Sequence, residues 1–437
     1  MAVAVASIPN SGSQRASALL RSLKRLAPSH IVHGIMRRKG WFTENASAGK
    51  LFNSARNAAG YALKSQTAGA YPMALKIDIS PECNLRCTVC IHAEAHGRTR
   101  LEQQEFNKRQ RMTVARFRRI IDEVAGKTSA VSLYYMGDPL VHPDLDKMCR
   151  IARDAGLNVH VSTNFSFRLS DERIRSIVES GVTHFTACVD GLSQEKYELT
   201  RVGGNIDRVL DNLRRLVRTR DELGLKYPKI EVQYVKFQHN ADELEAARKL
   251  TAEMGVDAFS DFWGRLTNCT DSDAGTFEIF APKQAKRLPQ CLFPHTTLVI
   301  KHNGDVIPCC CYRQGDQYRS TGESRTVGNV FETSVREVWN APGMRAARRL
   351  SGDPTASDKD ATLKDHFCYG CPSLYKTDLA ERIRRGDEAL IHDVVPKGRD
   401  RSRRRAAART NLDDGTIRSL PVLAAGGGCC SAAAVMN

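Results

Sequence analysis

Six short apolar segments alternate with amphipathic segments between Leu75 and Trp263, and this alternation constrains the fold more than any other feature. The apolar segments end in turn or polar residues, which predicts strands at 75–79, 131–137, 158–164, 184–190, 229–237 and 258–263. The intervening segments predict helices at 113–125, 144–155, 171–180, 205–223 and 241–254. Such alternation gives parallel strands joined by right-handed crossovers. We therefore predict an α/β fold, a partial (β/α)6 barrel, with its chemistry at the carboxyl ends of the strands.

Three cysteines follow the first predicted strand at Cys-x3-Cys-x2-Cys spacing, namely Cys83, Cys87 and Cys90. Three thiolates this close together can ligate three irons of a cubane cluster and leave the fourth iron open. An open metal position is typical of a site that performs chemistry rather than one that only stabilises a fold. A structural zinc site is the alternative, because cysteine clusters in intracellular chains often bind zinc.

The distribution of cysteines along the whole chain also favours metal ligation. The chain has 437 residues and 14 cysteines and shows no secretory signal, so a disulfide framework is not expected. The cysteines occur in clumps, at positions 83/87/90, 309/310/311, 368/371 and 429/430. Clumped cysteines predict metal binding in a reducing compartment.

The cysteine triad after a first strand resembles the radical S-adenosylmethionine (SAM) superfamily. The resemblance implies a [4Fe–4S] cluster on Cys83, Cys87 and Cys90, whose open iron binds the methionyl amine and carboxylate of SAM. The residue before the third cysteine is often aromatic in this family and packs on the adenine. Here that residue is Val89, so the resemblance implies mostly a backbone contact with SAM at this position.

The turn after the second predicted strand matches a second motif of this family. Gly137-Asp138-Pro139 stands where the family usually carries Gly-Glu-Pro, whose backbone receives the ammonium group of SAM. Aspartate keeps the carboxylate but has a shorter side chain than glutamate. The resemblance therefore implies the backbone contact with SAM more directly than it implies the role of the family's glutamate side chain. An ordinary Gly-Asp-Pro turn is the alternative.

The third and fourth strand ends carry further matches. Ser162-Thr163-Asn164 stands at the family's ribose motif, and hydroxyl and amide groups can hydrogen-bond ribose hydroxyls. Asp190 and Arg201 belong to a run that resembles the DG…R.GG pattern of the SPASM/twitch branch. The resemblance places both in the SAM site and implies that Arg201 meets the SAM carboxylate with two parallel donors. The alternative for Ser162-Thr163-Asn164 is an ordinary strand-terminating turn. The alternative for Arg201 is a surface ion pair.

Beyond the barrel, the order Cys-x12-Gly-x4-Cys … Cys-x2-Cys resembles the auxiliary-cluster domain of SPASM/twitch radical SAM enzymes. An apolar strand at 297–301 and a turn at Gly304 predict a hairpin that brings Cys291 and Cys309 together. The resemblance implies one auxiliary [4Fe–4S] cluster with four ligands, which are Cys291, Cys309, Cys368 and Cys371.

Three points about this second cluster remain open in the sequence. The further cysteines of the full SPASM pattern do not follow within a plausible span, so we predict one auxiliary cluster rather than two. Cys310 or Cys311 could replace Cys309 as a ligand. Zinc could also take the place of the cluster, because four cysteines in two pairs can hold Zn²⁺.

The net charge of +16 resides mostly in two arms, with +7 in residues 1–43 and +6 in residues 397–409. Because the body is close to neutral, nucleic acid is not expected as a partner. No apolar run is long enough for a transmembrane segment. We predict a basic, partly helical extension (1–74), a TIM-like radical SAM partial barrel (75–265), a small α+β SPASM/twitch-like domain (285–380) and a disordered basic tail (391–437).

The resemblance implies a radical SAM enzyme, in which the reduced cluster cleaves SAM and the resulting 5′-deoxyadenosyl radical abstracts hydrogen from a substrate. Residues 1–74 lack the strand pattern of the peptide-recognition domain found in peptide-modifying relatives. We therefore predict oxidation or rearrangement of a small biosynthetic intermediate, helped by the auxiliary cluster. A peptide-modifying maturase is the alternative within the family. A non-catalytic iron–sulfur protein or a zinc-structured binding protein is the alternative from another class.

The predicted partners follow from this chemistry. An electron donor such as flavodoxin or ferredoxin would reduce the SAM cluster. Oxygen-labile clusters predict a cytoplasmic location, or an organelle matrix if residues 1–43 are a transit peptide. The sequence does not identify a catalytic acid or base.

Overall fold

The structure is a computed structural model that describes residues 45–87, 90, 111–237, 239–263, 279–310, 326–371 and 373–377. The expected SAM contact at Val89, the alternative ligand Cys311 and the two basic arms lie outside the described residues. Among the described helices, none has the length and hydropathy that crossing a membrane requires.

Parallel strands and helices alternate as the sequence pattern predicts. Helix α1 (Ala48–Ala62) precedes the strands β1 (Ala74–Ile77), β2 (Ala130–Ser132), β3 (Asn158–Thr163), β4 (His184–Cys188), β5 (Lys229–Lys236) and β6 (Ala258–Trp263). The crossover helices are α2 (Val114–Val124), α3 (Leu145–Asp154), α4 (Asp171–Glu179), α5 (Gln194–Thr200), α6 (Ile206–Glu222) and α7 (Leu244–Glu253). Neighbouring strands from β1 to β6 pair in parallel, and the sheet does not close on itself within the described strands. The prediction of an α/β partial barrel is confirmed.

The end of β2 was predicted wrongly, and one helix was missed. Strand β2 ends at Ser132 rather than near residue 137, because the chain turns to bring Gly137 against the loop that follows β1. A β-carbon on Gly137 would lie 2.1 Å from Ser80 O, so this turn requires a glycine. Helix α5 was not predicted, since its seven residues are too few to show a clear helical period.

The C-terminal part of the chain extends the barrel sheet. After β7 (Ile279–Pro282) and the short helix α8 (Phe293–Thr296), strand β8 (Thr297–Ile300) pairs in parallel with β1. The antiparallel strands β9 (Asp305–Ile307) and β10 (Gly328–Asn329) continue the sheet outward, so the predicted hairpin is present and is joined directly to the barrel. The remaining elements are α9 (Val335–Trp339), α10 (Pro342–Gly352), α11 (Ala356–Lys359) and β11 (Tyr375–Thr377), which pairs with β7.

Helix α1 connects the two parts of the molecule. Ser47 caps its first turn by accepting a hydrogen bond from Lys50 N. The Lys50 ammonium donates to the carbonyl oxygen of Gly156, in the turn before β3. At the other end of the helix, the Tyr61 hydroxyl donates to Pro289 O at 2.8 Å, beside the C-terminal part. The helix therefore fastens the barrel to the segment that carries the second set of cysteines.

The two faces of the barrel sheet have different characters. Successive strand residues point to opposite faces. Leu75 and Ile77 pack into the main hydrophobic core against the crossover helices. Lys76 alternates with them and is buried on the other, concave face. Polar side chains on this concave face define the lumen of the barrel.

Candidate active site

The first three candidate metal ligands lie on one loop after β1. Cys87 is buried, and Cys83 and Cys90 are half-buried. Cys90 N donates to Cys87 O at 3.0 Å, which forms a turn between these two residues. The side chain of Arg86 donates to Cys83 O at 3.1 Å and so braces the loop from within.

The electrostatics of this loop fit a bound cluster. Burial raises the pKa of Cys83 well above its usual range, and the charges of Asp138, Cys87 and Cys90 raise it further. The raised pKa keeps this thiol protonated in the absence of a metal, and a bound metal cation would stabilise the thiolate form. Among the described side chains, no three His, Cys, Asp or Glu groups are placed to hold one single ion. In a cubane cluster each thiolate instead binds a different iron.

The Gly137-Asp138-Pro139 turn packs directly against this loop. Asp138 N donates to Glu82 O at 2.8 Å, next to Cys83. The Asp138 carboxylate is buried and caps the short 3-10 helix after it by accepting from Leu140 N at 3.0 Å. Burial raises the pKa of Asp138 to about 6, although hydrogen bonds from Asn164, Thr163 and Leu140 act in the opposite direction. The Asp138 side chain thus accepts hydrogen bonds from within the protein. The predicted SAM contact therefore falls to the backbone of the Gly137-Asp138-Pro139 turn.

The three predicted ribose-binding residues have different surroundings. The Thr163 hydroxyl donates to the Asp138 carboxylate at 2.8 Å and accepts from Phe165 N at 3.0 Å. Asn164 Nδ2 donates to Asp138 Oδ2 at 2.7 Å and lies 3.8 Å from Cys83 Sγ. Ser162 is half-buried on the same face as the lumen. The Ser162 hydroxyl forms a hydrogen bond with the Cys188 side chain. Ribose binding stays a prediction for all three residues.

Arg201 is not a surface residue. Its Nε atom pairs with Asp190 Oδ2 at 2.6 Å, and the side chains are 18% and 2% exposed. Asp190 Oδ1 accepts from Val235 N at 2.8 Å, so the carboxylate is itself anchored to the end of β5. Arg201 Nη1 lies 3.9 Å from Cys87 Sγ. The structure therefore brings Asp190, Arg201 and the cysteine loop together, and the alternative of an exposed ion pair is wrong.

A chain of polar contacts, which we call the lumen network, crosses the concave face and was not predicted. Ser260 Oγ donates to Glu231 Oε1 at 2.5 Å, and Glu231 Oε2 lies 2.7 Å from His184 Nε2. The His184 ring packs edge-on against His160, with 4.8 Å between centroids, and His160 Nε2 lies 2.9 Å from Thr186 Oγ1. Glu231, His160 and Thr186 are fully buried.

The lumen network continues to the first strand. Tyr134 packs edge-on against His160 with 5.0 Å between ring centroids, and Lys76 Nζ lies 4.2 Å from the centroid of Tyr134. In the sequence, Lys76, His160 and Glu231 each stand between two apolar strand residues, as in Val159-His160-Val161. That pattern is typical of a strand with one polar face, and it could have revealed the network.

The second set of cysteines lines one cavity. Cys291 precedes α8, Cys309 follows β9, and Cys368 and Cys371 come from the segment between α11 and β11; all four lie in the cavity wall. Apolar side chains complete this wall, including those of Pro294, Pro308, Phe367 and Leu374. Four thiols around an apolar cavity fit a fully ligated [4Fe–4S] cluster.

Local structure explains how two of these cysteines are presented. Cys371 N donates to Cys368 O at 3.3 Å across a turn in which Gly370 has a φ of +76°. A left-handed conformation of this kind favours glycine. His366 Nδ1 accepts from Cys368 N at 3.1 Å, and His366 Nε2 lies 2.9 Å from Gly343 O. Cys309 lines the cavity whereas its neighbour Cys310 does not, which favours Cys309 as the ligand.

Family comparisons match both cysteine regions. The radical SAM superfamily model matches residues 77–227, and the SPASM iron–sulfur cluster-binding domain model matches residues 291–372. The chain belongs to the radical SAM superfamily. It is therefore a radical SAM enzyme that uses SAM and [4Fe–4S] clusters, with a SPASM domain for auxiliary clusters.

Three curated relatives illustrate this radical SAM relationship. The tungsten-containing aldehyde ferredoxin oxidoreductase cofactor-modifying protein of Pyrococcus furiosus is 25% identical over 340 residues, covering 70% of this chain and 90% of that protein. The GTP 3′,8-cyclase of Chlorobaculum tepidum is 28% identical over 181 residues, covering 41% and 50%. The AdoMet-dependent heme synthase of Methanosarcina barkeri is 25% identical over 193 residues, covering 44% and 50%. The chain thus spans about half the length of the latter two proteins.

Proposed function

We propose that this radical SAM enzyme oxidises a small polar biosynthetic intermediate by two electrons, using one auxiliary [4Fe–4S] cluster. The observation that carries the proposal is the polar concave face of the barrel, which adjoins the cavity of four cysteines. The electron donor, for which flavodoxin or ferredoxin is expected, and the cytoplasmic location stay predictions.

The cysteine loop and its neighbours form the proposed SAM site. When bound, SAM and its reduced cluster supply the radical that removes hydrogen from the substrate. Cys83, Cys87 and Cys90 are the proposed cluster ligands. We propose that the backbone at Gly137 accepts a hydrogen bond from the SAM ammonium group. Arg201 is the proposed partner of the SAM carboxylate. Asp190 holds the Arg201 guanidinium in place through the 2.6 Å contact with Nε.

The lumen network favours a polar substrate. A barrel interior is commonly filled by branched apolar side chains. Here it contains Lys76, His160 and Glu231, all buried. Within the lumen network these groups pair with one another, so they give the concave face a polar wall. A polar wall suits a substrate rich in hydroxyl, amino or phosphate groups and disfavours a hydrocarbon. The names of the curated relatives also point to small molecules, namely the cofactor of a tungsten-containing oxidoreductase, GTP and heme.

The position of the second cavity supports oxidation. Ala74 of β1 and Val299 of β8 lie on neighbouring strands and belong to the same buried cluster as Cys309. Tyr135, which follows Tyr134 of the lumen network, packs against that cluster. The proposed auxiliary cluster therefore adjoins the lumen, where a fully ligated iron–sulfur cluster is suited to electron transfer.

A substrate survey tests this proposal. Anaerobically reconstituted enzyme would be incubated with SAM, dithionite and a panel of sugars, aminocyclitols and nucleotides, beside a panel of short peptides. We expect a polar small molecule to stimulate 5′-deoxyadenosine formation and to give a product lighter by two hydrogens. Stimulation by peptides alone would favour a maturase. A product of unchanged mass would favour rearrangement over oxidation.

A further inference from the structure

We propose that Arg201 is a positioning residue that raises the reduction potential of the SAM cluster by donating a hydrogen bond to Cys87. This role rests on the proposed ligation of the cluster by Cys87. It is separate from the predicted contact between Arg201 and the SAM carboxylate, because it operates before SAM binds.

The contact joins the guanidinium to the thiol sulfur. Arg201 Nη1 lies 3.9 Å from Cys87 Sγ, within the reach of a hydrogen bond to sulfur. Cys87 is only 6% exposed, so water does not screen the contact strongly. Asn164 Nδ2 also lies near a cluster cysteine, at 3.8 Å from Cys83 Sγ, but it has shorter bonds to Asp138 and Asn84. Arg201 is therefore the stronger candidate for acting on a cluster thiolate.

Two anchors keep the guanidinium at the sulfur. Asp190 pairs with a different nitrogen, Nε, and its second oxygen is bound by Val235 N at 2.8 Å. The Asp190 main chain is held in turn by Asn240 Nδ2, which donates to Asp190 O at 2.8 Å. Rotation of the Arg201 side chain away from Cys87 would break the buried pair with Asp190.

The main chain holds the same two segments together. Arg86 N, next to Cys87, donates to the carbonyl oxygen of Val202, next to Arg201, at 3.0 Å. The spacing between sulfur and guanidinium is thus fixed by the backbone of both segments as well as by the side chains.

The consequence for the cluster follows from charge. Reduction adds one negative charge, and hydrogen bonds and cations near the thiolates stabilise the reduced form. The Asp190 carboxylate offsets part of the effect, but it binds the guanidinium through Nε while Nη1 is directed to the sulfur. We expect the SAM cluster to be easier to reduce with Arg201 than without it.

The test measures the potential of the cluster in the absence of SAM. Full-length Arg201→Met, Arg201→Gln and wild-type protein would be reconstituted anaerobically and titrated with dithionite, with the SAM-cluster signal followed by electron paramagnetic resonance. The signal that changes when SAM is added identifies this cluster. At a fixed potential without SAM, we expect the reduced-to-oxidised ratio in Arg201→Met to fall about tenfold, a shift of about 59 mV for one electron. Arg201→Gln keeps a donor without the charge and should shift the ratio less.

A matched control tests whether loss of any semi-buried arginine has this effect. Arg215 of α6 is 17% exposed and pairs with Asp171 at 2.7 Å, away from the cysteine loop. Arg215→Met should leave the potential unchanged. An unchanged potential in both Arg201 variants, with only weaker SAM binding, would overturn the inference. Wild-type protein without a SAM-responsive cluster would instead overturn the proposed function.

Discussion

The Asp138 carboxylate and Asn164 are joined by two hydrogen bonds, one from Asn164 N at 2.8 Å and one from Asn164 Nδ2 at 2.7 Å. They link the turn after β2 to the end of β3, so two predicted SAM-binding motifs form one unit. Asn164 Nδ2 also donates to Asn84 Oδ1 at 2.9 Å, which extends the unit to the cysteine loop. A change in Asp138 should therefore affect the cysteine loop as well as the turn.

Replacing Asp138 with glutamate tests this unit. Glutamate is the usual residue of the family motif, yet the donors around Asp138 converge on the shorter side chain. We expect Asp138→Glu to lower the free energy of unfolding by about 1–3 kcal/mol, because buried donors lose their acceptor, and to weaken SAM binding. Chemical denaturation and SAM titration would measure these effects. Full stability with unchanged SAM affinity would show that the site accommodates either acid.

Replacing Gly137 with alanine should disrupt the cysteine loop. A β-carbon there would lie 2.1 Å from Ser80 O and 2.4 Å from Glu82 O, and both are backbone atoms that cannot move aside cheaply. Because small misplacements of reacting groups are costly, we expect SAM cleavage to fall about 100-fold or more. Gly60→Ala is the control, since its β-carbon would meet only Ser65 Cβ at 4.0 Å. Wild-type cleavage by Gly137→Ala would contradict the described packing.

The two adjacent cysteines after β9 should behave differently. Cys309 lines the second cavity, whereas Cys310 is buried outside its wall. We expect Cys309→Ala to lose about four irons per chain and Cys310→Ala to retain them. Iron and sulfide analysis after anaerobic reconstitution would distinguish the two. Loss of iron in Cys310→Ala alone would assign the ligand to Cys310.

Histidine 295 should make the stability of the apo-protein depend on pH. Burial, and then the charge of Arg348, lower the pKa of His295 from 6.5 to about 3. The unfolded chain binds a proton below pH 6.5 and the native site does not, so this contribution to stability is present above pH 6.5 and is lost as pH falls toward 3. The expected loss is up to about 1.4 kcal/mol per pH unit.

A neutral substitution isolates this effect. His295 Nε2 lies 3.1 Å from Ser351 Oγ, a contact that the amide of His295→Gln can partly replace. Denaturant unfolding of apo-protein between pH 5 and 8 should give a shallower pH dependence for His295→Gln than for the wild type. Parallel curves for the two proteins would mean that His295 does not titrate as described.

Local sequence patterns were sufficient for the barrel and for the placement of the cysteines. The strand–helix alternation predicted parallel pairing, and the resemblance to the SPASM/twitch motif implied which four cysteines share the second cavity. Contacts between distant segments were not predictable. The pairing of β8 with β1 joins Leu75 to Leu298, and neither segment indicates the other in its sequence. The hydrogen bonds from Asn164 to the Asp138 carboxylate likewise depend on which strand ends are neighbours in space.

The same limit applies to individual side chains. Hydrophobic periodicity could not separate Cys309 from Cys310, because the choice depends on which of the two faces the cavity. The donation from the Thr163 hydroxyl to Asp138 was likewise not predicted. That contact exists because β2 ends at Ser132 and the turn that follows brings Asp138 beside the end of β3. The pattern of apolar residues does not encode this path of the chain.

Iron and sulfide content, combined with SAM cleavage, tests the central claim most directly. Wild-type protein and the Cys83/Cys87/Cys90→Ala variant would be reconstituted anaerobically and compared. We predict about eight irons in the wild type, about four in the variant, and 5′-deoxyadenosine formation only in the wild type. Zinc in place of iron, with no sulfide and no cleavage of SAM, would contradict the account.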